Sequence, residues 1–196
     1  MNDTREKILL AALELFAADG YEAVSVSQIA GKLNITKGAL YRHYQNKRDI
    51  FDSILRRMEE KDAQQARAHS VPEEALAEGE AAYQSATLDS LVAFAIDQFA
   101  YWTQDAFASA FRRMLTLEQH RSPEMGALFQ QYLGAGPLAY TTDLLTAMGY
   151  ADARQKAMAL YAPMFLGYSL YDGGETNAGL LLQSCFKQLQ AQWQTQ

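Results

Sequence analysis

The chain is poor in the residues that carry covalent and metal chemistry. It has one cysteine, Cys185, which excludes an intrachain disulfide, fits a reducing cytoplasm and reads as a small buried hydrophobe. Its three histidines, His43, His69 and His120, are scattered, with no HExxH or cysteine-rich spacing to hold a metal. A glycine-rich phosphate loop and a nucleophile elbow are both missing. The expectation is a protein without catalytic residues, metal or cofactor. No apolar run approaches the roughly 20 residues that cross a bilayer. Asp3 and Glu6 stand where a signal peptide would be basic. No period-2 alternation of useful length and no Asn-Gly hairpin point to a sheet. Charged residues make up only 20% of the chain and apolar ones 49%, which supplies a core and argues against disorder.

What remains is helical, and the predicted fold class is all-α: a three-helix helix-turn-helix domain over residues 1–48, then a larger helical domain over 49–196. Asp3 and Glu6 have capping-box spacing for a first helix that Gly20 ends. Asn46 caps a connecting helix, with Asp49 at its third position, over 49–70. Residues 71–87, with Pro72, Gly79 and four glutamates, read as a junction. Beyond it, Leu88–Thr103 is an apolar-striped helix, Asp105 a possible cap, and Ser122-Pro123-Glu124 a helix start. Gly134, Gly136 and Pro137 should kink or break that helix midway, and Pro163 should bend the one that starts at Asp152. The last helix is expected from about Glu175 to Trp193.

The most informative stretch is Ser25 to Arg48. Ser25 and Gln28 form a second capping box. Asn34 sits at the reversal, as a residue that tolerates left-handed backbone. Thr36 caps a helix expected over Lys37–Tyr44, with Leu40 and Tyr44 facing the core. Between Thr36 and Arg48 lie four Lys/Arg, one His and no acid. A short helix that buries one face and shows cations, hydroxyls and aromatics on the other suits a DNA major groove. The net charge of −6 does not oppose this, because residues 1–50 carry +1 and residues 51–196 carry −7. A local basic patch, not the whole-chain balance, sets phosphate contact.

Residues 4–54 resemble the DNA-binding domain of the tetracycline-repressor (TetR) family. The likeness is carried by LF…GY at the end of the first helix, Ser-Val-Ser before the second, IAGKLNITKGALYRHY, and Lys47 ahead of Ile50-Phe51. Asn34 departs from the glycine more usual there. With that resemblance, Lys37 and Arg42 are candidates for base or phosphate contact, and Gly38 for close backbone approach. Tyr41 and His43 are candidates for phosphate, as are Thr36, Ser25 and Ser27. Lys47, with the first amides of the fourth helix, is a candidate anion site.

The resemblance further implies a homodimer that reads a palindromic DNA operator. Its last helices, near 152–171 and 175–193, would form the dimer interface, and its middle helices would enclose a small-molecule effector that releases a repressor from DNA. Phe99, Trp102, Phe111, Tyr161, Phe165 and Tyr168 either line such a pocket or fill the core. Arg112, Arg113, Glu118 and His120 gather at one helix end and read first as a solvated face. The alternative function is a helix-turn-helix regulator whose second domain only dimerises or binds a protein partner.

Overall fold

The computed structural model describes residues 3–68 and 86–194. Most of the junction read at 71–87 lies outside them. The described residues form helices only: α1 Asp3–Asp19, α2 Val26–Lys32, α3 Lys37–Tyr41, α4 Lys47–Ala68, α5 Leu88–Gln104, α6 Ala106–Glu118, α7 Pro123–Leu133, α8 Ala135–Ala147, α9 Ala153–Asp172 and α10 Ala178–Gln194. None is long and apolar enough to cross a membrane.

These helices group into two compact units that cut across the division read at residue 48. One holds residues up to 62 together with 106–129, the other 63–105 with 130 onward. Sequence order places α6 far from the head, but its apolar face belongs there. It packs on α1, and Phe111, Met114 and Leu115 are completely buried. In the first unit α1 contributes Ile8, Ala12 and Phe16 to the core and α4 contributes Ile50, Phe51, Ile54 and Met58, all fully buried.

One ion pair anchors this unit from the side. The Arg57 guanidinium on α4 grips Glu6 on α1 through two bonds of 2.7 and 2.6 Å and lies 5.9 Å from the Phe107 ring. Its hydrogen bond holds the Glu6 carboxyl below the ordinary carboxylate range. A carboxyl with a lowered folded pKa contributes stability that is complete above its unfolded value, about 4.3, and is lost as pH falls through the folded value. Thermal melts in an acid series should show the wild type losing stability below pH ~4.5 more steeply than Glu6→Gln. Parallel acid limbs would mean that the pair contributes nothing.

In the second unit α9 packs against α8, α10 and α5. The Phe99 and Tyr168 rings stack at 5.5 Å with only 6° between their planes. Gly167 makes room for this, because a Cβ there would sit 2.8 Å from Phe99 Cε2. Thr87 and Ser90 form a capping box at the start of α5. Gly134 separates α7 from α8, and Pro137 falls at the third position of α8, where a missing N–H costs no intrahelical bond. Pro163 lies within α9, which continues through it. Asp152 makes no side-chain cap bond and instead pairs with Lys156 at 3.3 Å. The last helix starts at Ala178, not near Glu175: the Glu175 amide donates back to the Leu170 carbonyl at 3.0 Å, closing the end of α9, and residues 176–177 form a turn.

Candidate nucleic-acid interface

The two short helices of the head are built by their caps. The Gln28 amide donates to Ser25 Oγ at 3.3 Å, and the Ser25 amide donates to Gln28 Oε1 at 2.8 Å. Asn34 adopts φ +55°, so the reversal is made in left-handed backbone without glycine. Thr36 Oγ1 then accepts from the Ala39 amide at 3.1 Å and starts α3. That helix is shorter than the expected Lys37–Tyr44. It stops at Tyr41, where the Arg42 and His43 amides switch to three-residue bonds, on Ala39 and Leu40. The tightening carries Tyr44 inward. Its ring is 2% exposed, and its hydroxyl donates to the Arg5 carbonyl at 3.2 Å on α1. Burial also pushes this phenol above its ordinary pKa.

Seven of the nine expected contact residues are exposed around α2 and α3. Thr36, Lys37, Gly38, Tyr41 and Arg42 are all exposed around α3, and Ser25 and Ser27 are exposed at the start of α2. Gly38 faces open space: a Cβ there would have only Thr36 Oγ1 near it, at 3.9 Å. His43 is half-buried.

The four cations of this stretch do not share one role. Lys47 Nζ donates to the Tyr21 carbonyl at 2.8 Å and the Glu22 carbonyl at 3.3 Å, and lies 4.3 Å from the centre of the Tyr21 ring. Two of its three hydrogens are therefore used inside the head, which leaves one for an external anion. Asn46 Oδ1 accepts from the Asp49 amide at 2.9 Å, and Asp49 accepts from the Gln45 amide at 2.9 Å. The start of α4 is thus capped by its own side chains. Arg48 bonds Asp52 at 2.7 Å and holds Glu124 at 2.9 and 2.7 Å. Glu124 raises the Arg48 pKa further, and Arg48 draws the Glu124 carboxyl down. The Lys37 and Arg42 side chains form no hydrogen bond or ion pair among the described residues. These two, one at each end of α3, are the cations of the stretch whose side chains have no partner among the described residues. The sequence shows the charges but not which are already answered.

The six expected pocket residues divide. Phe99, Trp102 and Tyr168 are buried in the second unit, with Phe99 and Tyr168 in mutual contact and Trp102 Nε1 donating to Gln98 at 3.0 Å. Tyr161 is half-buried, and its hydroxyl donates to the Leu133 carbonyl at 2.8 Å. Burial raises its phenol well above the ordinary range. Phe111 groups with the head instead. Phe165 is 49% exposed, on the outer side of α9. Arg112 and Glu118 correct the reading of a solvated face, since they are 3% and 0% exposed, whereas Arg113 and His120 are on the surface. Cys185 is half-buried.

Comparison with known proteins gives this head its relatives. Residues 8–54 match the family model described as bacterial regulatory proteins, tetR family. The repressor BepR of Brucella suis biovar 1 is 44% identical over 55 residues, 28% of this chain and 26% of that one. The regulator SrpR of Pseudomonas putida is 40% identical over 53 residues, 27% of this chain and 25% of that one. The chain thus aligns with about a quarter of the length of these curated relatives. The likeness of fold extends further. The fatty acid degradation regulator FadR of Bacillus halodurans superposes with a TM-score of 0.64 at 19% identity, over 97% of this chain and 96% of that one. The head at residues 8–54 is thus that of the bacterial regulatory proteins of the tetR family.

Proposed function

We propose that this chain is a homodimeric, DNA-binding transcriptional regulator, a repressor that leaves a palindromic operator when a small-molecule effector binds its second unit. The observation that carries the reading is the exposed α3 face, where Lys37, Tyr41 and Arg42 stand around a glycine whose Cβ position meets only Thr36 Oγ1, at 3.9 Å. Unengaged cations favour phosphate, and a bare backbone favours close approach to the groove.

Support for a dimer comes from α9 and α10. Met158, Phe165, Leu166 and Leu170 on α9 and Leu180 and Leu181 on α10 are all large, apolar and exposed. The two helices pack on one another. Apolar surface of this extent marks an interaction site, and a second copy matches the need for two heads about 34–36 Å apart on one duplex face. The effector is the part borne by relatives. One neighbour of similar fold is a SmeT–triclosan complex, and SmeT is the repressor of a multidrug efflux pump of Stenotrophomonas maltophilia. An effector acts by preferring the conformation in which the heads are wrongly spaced. α4, which begins shortly after the DNA-facing helix α3, is the lever in this reading.

A second reading has its own observation. The stacked Phe99 and Tyr168, with Gly167 in close contact, fill space that an effector would need, which favours a second unit that only dimerises. Selection from random duplex DNA decides the first half of the proposal, with enrichment of a palindrome whose affinity falls steeply with salt as the expected result. Enrichment of no palindrome would sink it. A compound screen by thermal shift then separates the two readings of the second unit.

A further inference from the structure

The residue that stands out in the first unit is Glu118, the last residue of α6. Its side chain is completely buried, yet neither carboxylate oxygen has a hydrogen-bond partner. Its nearest cation is Arg121, whose Nε lies 3.5 Å from Oε1, too long for a hydrogen bond of useful strength. A negative charge at a helix C-terminus also meets the unfavourable end of the helix dipole. Packing alone would favour an apolar residue here, so the carboxylate is held against its own preference.

What it touches is the C-cap of α1. Gly20 has φ +87°, and a Cβ on it would overlap Glu118 Oε1 and come within 3.6 Å of Arg121 Cζ. The left-handed backbone and the missing side chain are both used at this point, the second specifically to seat the carboxylate. The next two residues are Tyr21 and Glu22, whose carbonyls hold the Lys47 ammonium. Tyr21 is wedged between Phe16 on α1, at 5.1 Å, and Phe51 on α4, at 4.9 Å. A continuous path of contacts therefore runs from Glu118 through Gly20 and the 20–22 turn to Lys47, the first residue of α4, the next helix after α3.

We propose that Glu118 is a positioning residue for DNA binding: seated on Gly20, it sets the turn whose carbonyls aim Lys47, and through Lys47 it sets the start of α4 against the operator backbone. Lys47 keeps one ammonium hydrogen for a phosphate only while the other two stay on Tyr21 and Glu22. The inference rests on the DNA-binding reading above.

The test uses the full-length chain and the palindrome selected from random DNA. Operator affinity is measured against salt for the wild type, Glu118→Gln, Glu118→Met, Lys47→Ala and the double variant Glu118→Gln/Lys47→Ala. Both Glu118 variants keep the side-chain volume, and the methionine suits a buried site without a charge. The expected result is a loss of about tenfold in affinity with a flattening of the log–log salt slope by about 0.9, the loss of one phosphate contact. In the Lys47→Ala background the Glu118 change should then cost less than about twofold, because coupled sites are not additive. A merely structural role would lower the melting temperature and the active fraction and leave the slope and the additivity unchanged, which would overturn the proposal. Wild-type affinity and slope in both Glu118 variants would overturn it too. If Glu118→Gln does not fold, Glu118→Met carries the comparison. A wild type that binds no palindrome fails the function itself, and is thereby told apart from a failure of Glu118.

Discussion

Leu166→Glu combined with Leu180→Glu should leave the chain folded, convert it to a monomer, and lower operator affinity by roughly a hundredfold or more. The two leucines are 61% and 66% exposed, so neither change removes anything from the core of its own unit, and circular dichroism and melting should stay close to the wild type. In a dimer built on α9 and α10 the same positions lie inside the interface. Each buried leucine is worth about 1.5–3 kcal/mol. A carboxylate placed there must be desolvated without a partner, which costs further. Two substitutions per protomer act four times across a twofold interface, more than enough to dissociate a dimer at micromolar concentration. The effect on DNA follows from linkage: once one head is bound, the second binds from a high effective concentration, and a monomer loses that advantage of about 10²–10⁴. Light scattering reads the mass and fluorescence anisotropy the affinity. A persistent dimer would place the interface elsewhere. A clean monomer with undiminished affinity would remove the two-head reading.

The head was legible in the sequence because its signals are local. Caps act over three residues, and the Ser25–Gln28 box, the Thr36 cap and the left-handed Asn34 can all be read from neighbouring positions. The apolar stripes of α1 and α4 follow from helical period. What failed were the features that depend on distant partners. Lys47 reads as a free cation in any short window, because the carbonyls that engage it belong to residues 21 and 22. Arg48 is answered by Glu124, 76 residues away. The placement of α6 against α1, and with it the burial of Phe111 and Glu118, is invisible to periodicity, which gives the apolar face of a helix but not what covers it. The aromatics of the second unit share this ambiguity. Phe99 and Phe165 both fall on helical stripes, yet one is 4% exposed and the other 49%.

The last prediction separates stability from recognition at one position. Gly38→Leu should stabilise the protein slightly and weaken operator binding by about five- to 150-fold. Glycine within a helix costs about 0.8–1.0 kcal/mol relative to alanine, and leucine is nearly as favourable as alanine. At Gly38 nothing inside the chain opposes a side chain, since the nearest atom to a Cβ is Thr36 Oγ1 at 3.9 Å, and its φ lies outside the positive region. The α3 helix is only five residues long, so the gain is confined to a few tenths of a kcal/mol up to about 1. On DNA the same side chain would occupy the space that the groove or the phosphate backbone enters, and forcing extra atoms into a packed contact costs about 1–3 kcal/mol. At about 1.4 kcal/mol per tenfold, that is the stated loss. The companion variants sort the contacts around it. Lys37→Ala should flatten the salt slope by about 0.9, since it removes one cation from phosphate. Tyr41→Ala should lower affinity with the slope unchanged, because a phenol releases no counterion. A Gly38→Leu protein that melts higher and binds the operator as the wild type does would show that α3 turns another face to DNA, and Lys37, Tyr41 and Arg42 would lose their assigned role together.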